Sequence, residues 1–174
     1  MSKILVMDAS SLILLGKCNL MDVLSKSFKL VIPGKVLDEV VNEEIIRQHP
    51  DANIIRELVQ SKKIEVISLQ KGRAKFPITL DEGETEAILL TRQIGNATFV
   101  TDDGKAIKAC RYLKIPFTIS PKVVIDLYRL GKIDIMDANH SINKLRMIGR
   151  YSPEIIADAL IRLKEARDVE TNNR

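Results

Sequence analysis

The nine residues FVTDDGKAI, positions 99–107, carry an apolar run into a threonine, two adjacent aspartates and a glycine. Two like charges side by side are an unfavourable end for a buried element, because each carboxylate opposes ionisation of the other. The run ATFVT (97–101) is short and apolar and reads as a strand. The segment KAIKACRYLK (105–114) has helical spacing. The stretch is therefore strand, acidic turn, helix, and the question is what neutralises the turn.

The same succession recurs on either side. KILVM (3–7) reads as a strand buried on both faces, followed by Asp8 and a helical stretch over SLILLGKCNLMDVLSKS (11–27). KLVI (29–32) is a second strand. Pro33 stands where a helix starts, and GKVLDEVVNEEI (34–45) continues it. Residues 50–61 read as a helix, KIEVISL (63–69) as a strand and QKGRAKFP (70–77) as a basic loop. LDEGETEAILLTRQIG (80–95) is a helix ending at Gly95, with Asp81 and Glu84 at capping-box spacing. After PFTI (116–119), a short strand, come PKVVIDLYRLGK, stopped by Gly131, and two further helices over 136–149 and 152–167; residues 168–174 are expected to be frayed. Strands alternating with helices predict an α/β fold, a mainly parallel sheet with helices on both faces.

The chain has 174 residues, of which 45% are hydrophobic and 29% charged, the profile of a folded domain. No apolar run reaches the roughly 20 residues a membrane span needs. Asp8 interrupts the N-terminal apolar stretch, which argues against a signal peptide and for a cytoplasmic protein. Cys18 and Cys110 are far apart and read as reduced thiols; His49 and His140 stand alone, and nothing has zinc-ligand spacing. The net charge of +4 suits a nucleic-acid partner, whereas 4% aromatics and no tryptophan argue against reading single strands mainly by stacking.

In parallel sheets, sites form at the carboxyl ends of strands. Asp8 ends the first strand, and Asp102 and Asp103 end the strand 97–101. Glu39 lies two turns into the helix after the second strand, and Glu84 and Glu86 lie in the first turns of the helix from 80. Each has a structural reading as well: Asp8 and Asp102 as helix caps, Glu84 as the partner of Asp81, Glu39 and Glu86 as solvated side chains. As a set, without basic partners, they would take up protons or bind a hard divalent cation such as Mg²⁺. Lys105, Lys108 and Arg111 on the following helix, and Lys71, Arg73 and Lys75 in the basic loop, form two clusters suited to phosphate backbone.

Four stretches, LVMDASSLI (5–13), VIPGKVLDEV (31–40), LDEGETEAILL (80–90) and FVTDDGKA (99–106), resemble the successive motifs of PIN domains, in family order. The GETEA run also resembles the related flap endonucleases. The resemblance covers residues 4–130 and implies a three-layer α/β/α fold with a Mg²⁺ or Mn²⁺ site. It makes Asp8, Glu39, Glu84 and Asp103 the catalytic, metal-holding carboxylates, with Glu86 and Asp102 as alternatives to Glu84 and Asp103. It gives Ser10 and Thr101 supporting roles. Many PIN domains carry a further acidic residue or asparagine after the next strand, where this chain has Thr118 and Ser120. Residues 131–167 resemble the helical extension of a prokaryotic PIN subgroup.

The expected activity is metal-dependent hydrolysis of RNA phosphodiester bonds, as in VapC-type toxins of toxin–antitoxin pairs. RNA is then the substrate, and an antitoxin or a second copy a partner, with Ile155, Ile156, Leu160 and Leu163 as an interface or as the extension's own core. A catalytically weak PIN module that binds nucleic acid or protein is the alternative. An aspartyl phosphatase is disfavoured, because Ser10 stands where such enzymes place a second aspartate.

Overall fold

The computed structural model of the chain describes residues 3–42, 51–70, 76 and 78–172. The basic loop cluster Lys71, Arg73 and Lys75 lies outside them, as does the end of the helix expected over 34–45.

The apolar runs of the first two-thirds of the chain form five strands: β1 (Ile4–Met7), β2 (Lys29–Ile32), β3 (Ile64–Val66), β4 (Ala97–Val100) and β5 (Phe117–Thr118). They make one sheet in the order β3-β2-β1-β4-β5, parallel throughout. Side chains alternate across it. Val6, Val31 and Phe99 enter a core with Ala87, Ile88, Leu90, Ala106, Ala109 and Cys110. Leu5, Met7, Leu30 and Ile32 fall on the alternate positions and are equally buried. A sheet covered on both faces explains why its strands read as unbroken apolar runs. The result is a three-layer α/β/α sandwich.

Helices connect the strands: α1 (Ala9–Lys17), α2 (Met21–Ser27), α3 (Gly34–Val40), α4 (Asp51–Gln60), α5 (Glu82–Ile94) and α6 (Gly104–Leu113). The helical stretch expected over 11–27 is two helices. Asn19 takes a left-handed conformation, φ 58°, and ends the first; asparagine tolerates this region better than most residues. Of the strand expected over 63–69, three residues pair with β2. Pro33 caps α3 rather than opening it. The capping box of α5 forms as its spacing predicts, and Gly95 closes the helix at φ 80°.

The chain divides into two compact units, Met1–Thr118 and Ile119–Arg174. The second is helical: α7 (Ser120–Arg129), α8 (Ile135–Ile148) and α9 (Pro153–Asn172) pack pairwise. The helix expected at the end of the core, α7, thus belongs with the extension. Residues 168–172, expected to fray, continue α9; the run contains neither proline nor glycine to stop it. Ile156 and Leu163 are buried with Ile142 and Leu145, whereas Ile155 stays 38% exposed. Among the described residues no helix is long and apolar enough to cross a membrane.

Candidate active site

The strand order sets the site. From β1 the chain builds outward through β2 and β3, then returns to the other side of β1 for β4 and β5. Such a reversal opens a crevice at the carboxyl ends of the two strands that flank it. Asp8 follows β1 and Thr101 to Asp103 follow β4, so both acidic turns stand on this crevice. The strand ends are tied together. The Asp8 N–H donates to Val100 O at 3.3 Å, and the Ser11 hydroxyl sits 3.2 Å from Asp8 O and 3.0 Å from Val100 O.

Asp8 is 3% exposed and caps α1. Its Oδ1 accepts from the Ser11 N–H at 2.8 Å and from the Ser10 hydroxyl at 3.0 Å. Its Oδ2 is buried and has no hydrogen-bond partner among the described residues. Burial pushes its pKa up; the nearby Thr101 hydroxyl and Ser11 pull it down, and the Asp102 charge pushes it up again. A carboxylate sealed from water, even with the Thr101 hydroxyl as a further donor, stays costly to ionise unless a cation binds it.

Asp103 caps α6, its Oδ1 accepting from the N–H groups of Lys105 at 2.7 Å and Ala106 at 3.0 Å. The Thr101 hydroxyl accepts from the Asp103 N–H at 3.2 Å and fixes the turn. Glu84 reaches back from the third position of α5 so that its Oε2 accepts from the Asp81 N–H at 3.2 Å, while Asp81 Oδ1 accepts from the Glu84 N–H at 2.7 Å. Partial burial pushes the Glu84 pKa up to about 7, helped by the charges of Asp81, Asp103 and Asp8. Glu39 comes from α3, which packs on α5. Burial raises its pKa, as do the charges of Asp81, Asp8 and Glu82, while the Gly83 N–H donates to it and opposes the shift. The charge of Asp8 thus reaches both Glu39 and Glu84, and that of Asp103 reaches Glu84.

Two residues not singled out for the site emerge here. Asp81, read as a cap, is the largest charge acting on both Glu39 and Glu84. Gly83 leaves room for Glu39: a Cβ there would stand 2.9 Å from Glu39 Cδ and from its Oε2. The DEGETE run (81–86) held both signals, but α3 had to be brought against it to give them meaning.

Glu86 turns elsewhere. Its Oε2 accepts from the Lys35 N–H at 3.2 Å, in the first turn of α3. Of the two glutamates, Glu84 is the one whose charge couples to Asp8 and Asp103. Asp102 is half-buried and acts on Asp8 through its charge. Lys105 and Lys108 are exposed on α6; Arg111, on its last turn, lies over the Phe117 ring at 5.9 Å. Thr118 Oγ1 is buried without a partner among the described residues, and Ser120 opens α7 in the second unit.

The donors suit a hard divalent cation: carboxylate oxygens, one of them orphaned, with raised proton affinities that a cation would reverse. They do not form a closed cage, since no group of three or more His, Cys, Asp or Glu among the described residues is drawn close enough to hold an ion.

A parallel α/β/α sandwich with an acidic crevice at its switch point belongs to the α/β proteins that bind their ligands at that crevice. Over residues 4–165 the sequence matches a family model described as PIN domain. The chain belongs to the PIN domain family, whose members are generally nucleases and typically use divalent metals. A comparison with curated proteins finds no match.

Proposed function

We propose that this protein is a Mg²⁺- or Mn²⁺-dependent ribonuclease and the toxin of a toxin–antitoxin pair. The observation that supports it most is Asp8 Oδ2, a buried carboxylate oxygen at the switch point with no hydrogen-bond partner among the described residues, on a side chain whose charge acts on Glu39 and Glu84. RNA as substrate and a cytoplasmic location follow the VapC-like motif order.

Asp8 would help to hold the ion, with Ser10 and Ser11 fixing its Oδ1. Asp103 and Glu84, aimed by their helix caps, and Glu39, seated on Gly83, would hold the ion with it, and the raised proton affinities of Glu39 and Glu84 would be reversed by its charge. Bound there, the ion would supply Lewis-acid stabilisation of a phosphoryl oxygen and lower the pKa of water. Lys105 and Lys108 hold the strand by its phosphates.

The test is cleavage of RNA by purified protein with Mn²⁺, beside Asp8→Asn, together with co-purification of the product of the adjacent reading frame. Cleavage by the wild type alone is expected. Equal activity in both proteins would end the reading. The open donor set favours one alternative, a PIN module that binds nucleic acid or protein without efficient cleavage; it predicts RNA retention without products.

A further inference from the structure

The chain's three tyrosines and four phenylalanines all fall among the described residues, and all but one are buried or partly buried. The exception is Tyr112 on α6, which is 70% exposed. Its side chain makes no hydrogen bond or ring contact among the described residues. Packing of the core therefore does not account for an aromatic ring at this position.

Tyr112 shares its surroundings with two free cations. Lys105, Lys108 and Tyr112 recur at i, i+3 and i+7 and so stand on one face of α6, exposed, while Ala106, Ala109 and Cys110 are buried. Lys26, Lys29, Lys35 and Lys63 are each ion-paired to a carboxylate. Neither Lys105 nor Lys108 has such a partner among the described residues. The helix begins at Asp103, on the acidic crevice, so this face leads from the crevice outward to the ring.

We propose that Tyr112 is a platform on which the RNA stacks one unpaired base, at the far end of a track whose phosphates Lys105 and Lys108 hold. The inference rests on the ribonuclease reading and deepens it, since it states what form the strand takes beside the cleaved bond. From Asp103 to Tyr112 the helix rises roughly 14 Å. A strand that advances about 3.4 Å per nucleotide when stacked covers that length in about four nucleotides, and in fewer when drawn out. The base on Tyr112 is thus a near neighbour of the scissile phosphate, on one side of it. A base offers its face to a side chain only where the strand is open, because a duplex keeps those faces in its own stack. The substrate is therefore single-stranded at that point. Every base has a π-face, so the contact sets strandedness and register rather than sequence. A single platform also agrees with an aromatic content of 4%: the phosphates carry the strand and one ring fixes it.

The experiment titrates the full chain, in chelator so that no cleavage intervenes, into a short unstructured RNA carrying 2-aminopurine, whose emission falls when it stacks. The wild type is expected to quench it. Tyr112→Leu should bind about tenfold more weakly and lose the quench. Tyr112→Phe, which keeps the ring, should retain both affinity and quench. Lys108→Gln should weaken binding yet quench fully at saturation. The same sequence locked in a hairpin stem should bind Tyr112→Leu and the wild type alike. A strand that does not bind, a Tyr112→Leu chain of unchanged affinity, or a quench that survives in that chain overturns the proposal. Any of these beside Mn²⁺-dependent cleavage would leave the ribonuclease reading standing, whereas quenching by a chain that never cleaves would count against that reading alone.

Discussion

Glu39 occupies the space that a side chain on Gly83 would fill: a Cβ on Gly83 would sit 2.9 Å from Glu39 Cδ. The carboxylate accepts from the Gly83 N–H in that space, at the N-terminus of α5. Gly83→Ala must push Glu39 out of the crevice or shift α5. The expected result is weaker Mn²⁺ binding, seen as a smaller metal-induced rise in melting temperature, with RNA cleavage falling by tenfold or more. Gly34→Ala, where no atom lies within 4 Å of the added carbon, is the control and should leave both unchanged. An undiminished metal response in Gly83→Ala would detach Glu39 from the site.

Asp8→Asn separates the cap from the charge. The amide oxygen still accepts the Ser11 N–H, so helix initiation survives, and the cost of burying an anion disappears. Stability without metal should hold or rise. Asp8→Ala, which removes the cap, should lose about 1 kcal/mol. In thermal unfolding, Asp8→Asn should also lose most of the Mn²⁺-dependent increase that mass action gives the wild type. Equal metal responses in the two proteins would leave Asp8 as a cap alone.

Glu84 fixes the sign of a pH effect. Its pKa rises from 4.5 to about 7 on folding, so between those values the native state holds more protons than the unfolded one. Stability then falls as pH rises through that window. The raised pKa values of Asp8 and Glu39 act in the same direction. Denaturant unfolding in chelator should show the decline between pH 5 and 7, and Glu84→Gln should flatten it. Mn²⁺ competes with these protons, so its affinity should climb over the same range. A stability profile rising with pH in the wild type and unchanged in Glu84→Gln would contradict the coupling.

Lys105 and Lys108 are exposed on the helix that Asp103 caps, whereas Arg111 lies on Phe117. Charge reversal of the two lysines should weaken RNA binding and lower its salt slope by roughly two phosphate contacts. Arg111→Gln should affect stability as much as binding, through its lost ring contact. An unchanged slope in the lysine variant would move the RNA to another face.

The strands were legible because a sheet buried on both sides writes itself as apolar runs, and Asp8 and Asp103 were legible because they end those runs. The break at Asn19 was not: residues 11–27 keep an apolar pattern across it, and one left-handed residue leaves no periodic trace. Nor could spacing choose between Glu84 and Glu86. Two positions apart on one helix, they differ in what they meet: Glu86 finds the Lys35 N–H, and Glu84 the field of Asp8 and Asp103. Gly83 was ambiguous for the same reason, since the side chain it accommodates belongs to α3. What the sequence hid was contact between segments far apart in the chain.

Asp8 and Asp103 each give one oxygen, Oδ1, to the start of a helix. An amide in either place keeps that acceptor and discards the charge. Folding thus draws on one oxygen of each side chain and leaves the other to the proposed chemistry, so that a single Asp→Asn step separates them. A lineage carrying this architecture has a short evolutionary route to inert copies that still fold and dock like the parent, which is the raw material for inhibitors and decoys.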